Sequence, residues 1–157
     1  MIRYLIMDVD GTLTDGKITM GEYAEFSKNF NIKDGYGIYE LLPLKDIVPI
    51  IFTGRKSTIV ENRCKELGII EVYQGVENKV EELNTFIDKH GITANEVAYI
   101  GDDLNDFDVM KTVKKNAGIL GCPKDAVKEI IDIADFVSTK DGGDGAVREF
   151  IDYLVNL

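Results

Sequence analysis

Short, uninterrupted apolar runs alternate along this chain with segments whose apolar residues recur every three or four positions. That alternation points to a parallel sheet wrapped by helices. Residues 3–8 (RYLIMD), 47–53 (IVPIIFT) and 97–101 (VAYIG) are continuously apolar, the pattern of strands buried on both faces. Shorter runs at 70–73, 116–120 and 135–138 predict further strands. Helical periodicity occupies 34–43, 57–67, 78–90, 105–114, 124–131 and 144–155. In the last segment Val147, Phe150, Ile151, Leu154 and Val155 repeat at three and four, and Gly68 follows the second segment where a C-terminal glycine belongs. Residues 14–30 break the rhythm: strand-like pieces flank Met20-Gly21 and predict a β-hairpin projecting from the end of the first strand. The expected architecture is α/β, a Rossmann-like parallel sheet with helices on both faces. The 157 residues, free of linker-like composition, form one expected domain.

Bulk properties exclude several function classes. No apolar run approaches the roughly 20 residues needed to span a bilayer, and the apolar stretch in MIRYLIMD is too short for a signal peptide. A cytoplasmic protein is expected. A net charge of -10 argues against nucleic acid and anionic membranes as partners. An anionic substrate would need a metal ion and a few placed cations to reverse the local field. Cys64 and Cys122 lie far apart, match no metal-ligand spacing, and are expected to be reduced. His90, the single histidine, precedes Gly91 and reads as a capping or surface residue, which argues against a serine or cysteine nucleophile served by a histidine base.

In open parallel sheets the carboxyl ends of the strands carry the active site, and four clusters fall there. Asp8-Val9-Asp10-Gly11-Thr12 follows the first run. Residues two apart in extended backbone share a side, so Asp8 and Asp10 converge, and a divalent cation would relieve their repulsion. The bland alternative is a pair of solvated turn acids. Thr53-Gly54-Arg55 follows the second run, where a hydroxyl and free amides would seat a phosphate unless Thr53 or Ser57 merely caps a helix. Lys79 falls in the first turn of a predicted helix, where a cation opposes the dipole, so it either neutralises a phosphate or lies at the surface. Gly101-Asp102-Asp103-Leu104-Asn105-Asp106 offers three acids that could hold a hard cation or cap a helix. Coincidence would have to place all four after successive strands, in that order.

The order Asp8-x-Asp10-Gly11-Thr12, Thr53, Lys79, Gly101-Asp102-Asp103 resembles the four motifs of the haloacid dehalogenase-like superfamily. DVDGTLTDG, GE, FNIKDGYGI, TGR, YQG, VAYIGDDLND and GGDGAVREF are similar, over nearly the whole chain, to the 3-deoxy-D-manno-octulosonate 8-phosphate phosphatase family. The resemblance implies a phosphatase in which Asp8 is the nucleophile and Asp10 first protonates the leaving sugar oxygen and then deprotonates water. Magnesium would be held by Asp8, the main-chain carbonyl of Asp10 and Asp102, with Asp103 and Asp106 in support. Thr53, Gly54 and Lys79 would hold the phosphoryl group. Asp10, Asn31, Ile32, Lys33, Asp34, Gly35, Arg55 and Arg63 would meet the sugar acid, and Arg55 and Arg63, eight apart, could share one helix face. It also implies that no large cap domain is present. A homotetramer would then cover the sites, with the hairpin at its centre. Gly142, Gly143 and Gly145 would serve as mobile joints that bring Arg148 and Glu149 near a neighbour's site.

Departures from the family pattern bear on the substrate. Thr12 stands where an aliphatic residue is common, Lys33 and Tyr39 stand at frequent arginine positions, and Gly121-Cys122-Pro123-Lys124-Asp125-Ala126 differs from the usual alanine-rich version. Lysine loses the bidentate grip of arginine. Nine-carbon keto-sugar acid 9-phosphates are therefore the competing substrates. A phosphoaccepting receiver domain is a rival from another class, but it lacks an acid two residues after the nucleophile. A catalytically silent subunit of a sugar-acid biosynthetic assembly is the other.

Overall fold

Tyr4–Met7 (β1) are buried on both faces and sit at the middle of the protein. The computed structural model describes residues 1–157. Around β1 the strands Val48–Phe52 (β4), Glu71–Tyr73 (β5), Val97–Ile100 (β6), Ile119–Cys122 (β7) and Phe136–Val137 (β8) form a six-stranded sheet. Its order is β5-β4-β1-β6-β7-β8, and every neighbouring pair is parallel. The remaining strands, Thr19–Met20 (β2) and Glu25–Ser27 (β3), pair antiparallel as a separate hairpin.

Side-chain alternation along the central strands divides the core into two layers. Leu5, Met7, Ile51, Ala98 and Ile100 face one side, against Val60 and Cys64 of Thr58–Glu66 (α2) and Phe150, Ile151 and Leu154 of Ala146–Val155 (α6). Tyr4, Ile6, Ile50, Phe52, Val97 and Tyr99 face the other, against Leu83 and Phe86 of Lys79–His90 (α3), Val109 and Met110 of Leu104–Lys115 (α4) and Ile130 of Lys128–Ile133 (α5). This is the expected α/β sheet with helices on both faces. Glycine allows α6 to approach closely: a Cβ at Gly121 of β7 would lie 2.7 Å from the Phe150 ring.

Several expected elements shift for identifiable reasons. The 34–43 helix begins earlier, as Ile32–Tyr36 (α1), because the Asn31 side chain accepts the Lys33 amide at 2.8 Å. It continues as a π-turn over Gly37–Leu41 and a 3₁₀ turn over Leu42–Lys45 that carries Pro43 at its start. β7 begins three residues later than the 116–120 run, since Ala117 takes a left-handed φ of 63° in the turn after α4. α5 starts late because residues 123–126 form a turn, closed by the Ala126 amide on the Pro123 carbonyl. His90 ends α3, with Gly91 in the left-handed conformation behind it, but is no plain surface residue. Its ring lies 4.4 Å from Phe86 and its Nε2 2.9 Å from Glu71. Both cysteines are buried and unpaired. No helix is long and apolar enough to cross a membrane.

Of the three glycines expected to act as joints, Gly142 and Gly143 are wedged in place, whereas Gly145 has room around it. A Cβ at Gly142 would sit 1.9 Å from the Gly11 carbonyl oxygen, and the Gly143 amide donates to the Thr12 carbonyl at 3.1 Å. The 142–145 loop is thus a brace behind the first-strand loop. α6 belongs to the chain's own core, with Glu149 accepting from Ser138 and Thr139 and Arg148 paired to Asp152.

Asp34 is buried, and one of its oxygens accepts the Arg148 amide at 2.8 Å in the first turn of α6. Burial, only partly opposed by the Arg148 and Gly145 amides, pushes its carboxyl up from 3.8 to about 6. A raised carboxyl favours the fold fully below its ordinary value and loses that contribution as pH rises to about 6. Between pH 4 and 7 the wild type should therefore lose on the order of 3 kcal/mol relative to Asp34→Asn. Urea unfolding across that range checks this, and stability curves that run parallel would contradict it.

Candidate active site

Asp8 leaves β1 with its amide donating to the Ile100 carbonyl at 3.1 Å, and its side chain is buried. The next turn is tight: the Val9 carbonyl accepts from Thr12, Leu13 and Thr14 at 3.1, 2.9 and 3.1 Å. Asp8 and Asp10 therefore share a cleft through this loop rather than through strand alternation. Gly11, at φ +89°, has no alternative, because a Cβ there would fall 1.9 Å from an Asp102 carboxylate oxygen.

Lys79 is the first residue of α3, with Asn78 as the cap. Its side chain is buried, with Nζ 2.9 Å from Asp8 Oδ1 and 2.7 Å from Asp106 Oδ1. Burial alone would lower the ammonium's proton affinity, but Asp8 and Asp106 outweigh it and hold Lys79 charged. Asp106, fully buried, also accepts from the Tyr99 hydroxyl at 2.8 Å and, through Oδ2, from the Asp102 amide at 3.2 Å. Oxygens of Asp8, Asp102 and Asp106 lie within 4.8 Å of one another. Both Asp106 oxygens are already engaged, so the donor set for a hard cation is the Asp8 and Asp102 carboxylates together with the exposed end of the Asp10 loop. Of the two acids expected in support, Asp103 lines the same cleft and caps α4, accepting the Leu104 amide at 2.7 Å, while Asp106 lies behind it holding Lys79 and the Asp102 amide.

Thr53 is buried at the end of β4, its amide donating to Tyr73 and its carbonyl accepting from Val76. The helix cap is Ser57, which accepts the Val60 amide at 3.4 Å and leaves the Thr53 hydroxyl to the cleft. Asp8, Asp10, Thr53, Gly54, Arg55 and Asp102 line this open cleft of about 510 Å³. Lys79 reaches it through its bond to Asp8.

Other expected residues lie elsewhere. Arg55 precedes α2, so it does not share a helix face with Arg63. Arg63 pairs with Glu66 at 2.9 Å and lies 5.7 Å from the Phe30 ring centre. Asn31, Asp34, Gly35 and Arg63 line a pocket behind Val9 and Leu13 with only about 10 Å³ of free space, too little for a sugar. Ile32 and Lys33 are exposed on α1. Two contributors had roles that sequence reasoning missed, Thr12 although it belongs to the first cluster and Lys28 with no local signal at all. Thr12 donates to Asp102 Oδ1 at 3.1 Å, and Lys28, from the hairpin, bonds Asp10.

The charge arrangement fits a divalent cation. Burial, followed by the Asp106 charge, pushes Asp8 well above the usual carboxylate range. The same two causes raise Asp102 to about 7, against which the Thr12 hydroxyl pulls. A cation must displace protons from such groups, so its affinity should weaken as pH falls below about 7 and its binding should release protons there. Calorimetry in buffers of differing protonation enthalpy checks this, and pH-independent affinity without proton release would contradict it. Thr12→Val, which removes the bond that orients Asp102, should weaken cation binding by about tenfold. An unchanged dissociation constant would show that the bond is idle.

Residues 51–151 match the haloacid dehalogenase-like hydrolase family. The chain is 47% identical over 154 residues to the 3-deoxy-D-manno-octulosonate 8-phosphate phosphatase of Escherichia coli K12, covering 98% of this chain and 79% of that one. Among solved structures, the Moraxella catarrhalis phosphatase of the same description, in complex with magnesium, phosphate and KDO, superposes with a TM-score of 0.90 at 36% identity, covering 99% of this chain and 86% of that one. The cobalt-bound Haemophilus influenzae enzyme gives a TM-score of 0.90 at 34% identity, covering 99% and 88%.

Proposed function

The chain belongs to the haloacid dehalogenase-like hydrolases and, within them, to the 3-deoxy-D-manno-octulosonate 8-phosphate phosphatase family, and from that premise we propose that it hydrolyses this sugar phosphate to the free sugar acid and phosphate. The observation that carries the reading is the buried Lys79 ammonium between Asp8 and Asp106, bonded to the Asp8 carboxylate that lines a cleft together with Asp10 and Thr53.

Asp8 attacks phosphorus in line and forms an aspartyl phosphate, while the departing sugar oxygen takes a proton from Asp10. Asp10 then takes a proton from the water that attacks the same phosphorus, which releases phosphate and restores Asp8. Thr53, Gly54 and Lys79 hold the phosphoryl oxygens through this exchange. Asp8, Asp102 and the Asp10 carbonyl would hold magnesium, which when bound would supply the positive charge that offsets a net charge of -10 for a phosphorylated acid. Arg55 is the cation at the cleft mouth that meets the substrate's carboxylate. Asn31, Asp34, Gly35 and Arg63 would meet it only if the pocket behind Val9 opened.

The wider reading is of one cytoplasmic domain, residues 1–157, assembled as a homotetramer. The support for assembly is the hairpin, α1 and the π-turn after it, where Met20, Tyr23, Phe26, Ile32, Tyr36 and Tyr39 stay exposed in a single copy.

Asp8→Asn should cost at least about a thousandfold in turnover without unfolding the protein. Relative kcat/KM should be highest for 3-deoxy-D-manno-octulosonate 8-phosphate, above the nine-carbon 9-phosphates. Surviving activity in Asp8→Asn would exclude it as nucleophile. Equal low rates on all the sugar acids, or a preference for an unrelated phosphate, would overturn the substrate.

A further inference from the structure

Lys28 immediately follows β3 on a hairpin that shares no strand pairing with the main sheet. Its side chain is nevertheless fully withdrawn from solvent, bonded through Nζ to Asp10 Oδ1 and 2.6 Å from Glu25 Oε1. A buried ammonium is costly unless paired, and one partner of this one, Asp10, lines the cleft. Glu25 Oε1 lies in turn 3.8 Å from Arg55 Nε, at the cleft mouth. A chain of charges thus runs from Asp10 through the hairpin to the loop after β4. Asp10 uses only Oδ1 in this chain, so Oδ2 is the oxygen left to face a leaving group.

We propose that Lys28 is a positioning residue for the phosphatase reaction: it clamps one oxygen of Asp10 so that the other is aimed at the departing sugar oxygen, and Glu25 holds Lys28 in place. Full burial keeps Lys28 from touching substrate itself. The inference rests on Asp10 being the proton donor of the proposed reaction.

Leaving-group dependence separates this role from mere hairpin packing. A sugar alkoxide must be protonated as it leaves, whereas p-nitrophenolate leaves without a proton. The value of kcat/KM reports only the steps up to that departure. With magnesium and the full chain, Lys28→Met should lose about tenfold or more on 3-deoxy-D-manno-octulosonate 8-phosphate and change little on p-nitrophenyl phosphate. Lys28→Arg should recover most of the loss. Glu25→Gln, which leaves Asp10 untouched, should show a smaller loss with the same split, and it carries the test if Lys28→Met does not fold. Equal losses on both substrates, or no loss in either variant, would overturn the role of Lys28. Asp10→Asn run in parallel should show the largest split. If it shows none, the proton-donor reading itself fails, and the role of Lys28 fails with it.

Discussion

The Lys79 ammonium, enclosed by Asp8 and Asp106, ties four parts of the fold together: the end of β1, the start of α3, the first turn of α4 and, through the Tyr99 hydroxyl, β6. Removing one member of such a buried set leaves an uncompensated charge, at a cost of about 3–5 kcal/mol. The arrangement therefore fixes geometry as much as it supplies charge. It places one oxygen of Asp8 against a cation and leaves the other facing the cleft. It also uses up Asp106, so that Asp102 and not Asp106 remains to meet a metal.

The sheet order explains why these groups meet at all. β4, β1 and β6 are adjacent and parallel, so the loops carrying Thr53, Asp8 and Asp102 emerge side by side at one edge. β1 is buried on both faces, and its register against β4 and β6 has no freedom to slip. Glycine completes the packing where loops press on one another, at Gly11 against Asp102 and at Gly142 against the Gly11 carbonyl. An acidic protein can then offer a phosphate site, because the local field is set by Lys79, a bound cation and the mouth arginine rather than by net charge.

The fold was largely legible because every central strand is a continuous apolar run and every long helix has its own cap or periodicity. That Asp8, Thr53 and Asp102 meet at one end of the sheet was legible because each follows an apolar strand, and Lys79 stood out as a cation in a helix's first turn. Lys28 was not: the sequence shows a lysine beside a short amphipathic strand, and only the hairpin's fold-back puts its ammonium on Asp10. Arg63 failed as a partner of Arg55 for a related reason. The helix begins at Thr58, so spacing across its start says nothing about a shared face. Asp103 and Asp106 read alike as supporting acids, because acids at a helix start look the same until the fold separates the cap of α4 from the partner of Lys79. The wedged Gly142 and Gly143 looked like hinges for the same lack of tertiary context.

The proposed reaction makes Asp8 the nucleophile toward phosphorus, and chemical trapping of the phosphoenzyme tests that most directly. Enzyme with magnesium, mixed with substrate and quenched into borohydride, should have its acyl phosphate reduced, and peptide mass spectrometry should find homoserine in place of aspartate at position 8 alone. Reduction at another residue, or none under conditions where turnover is rapid, would contradict nucleophilic catalysis by Asp8.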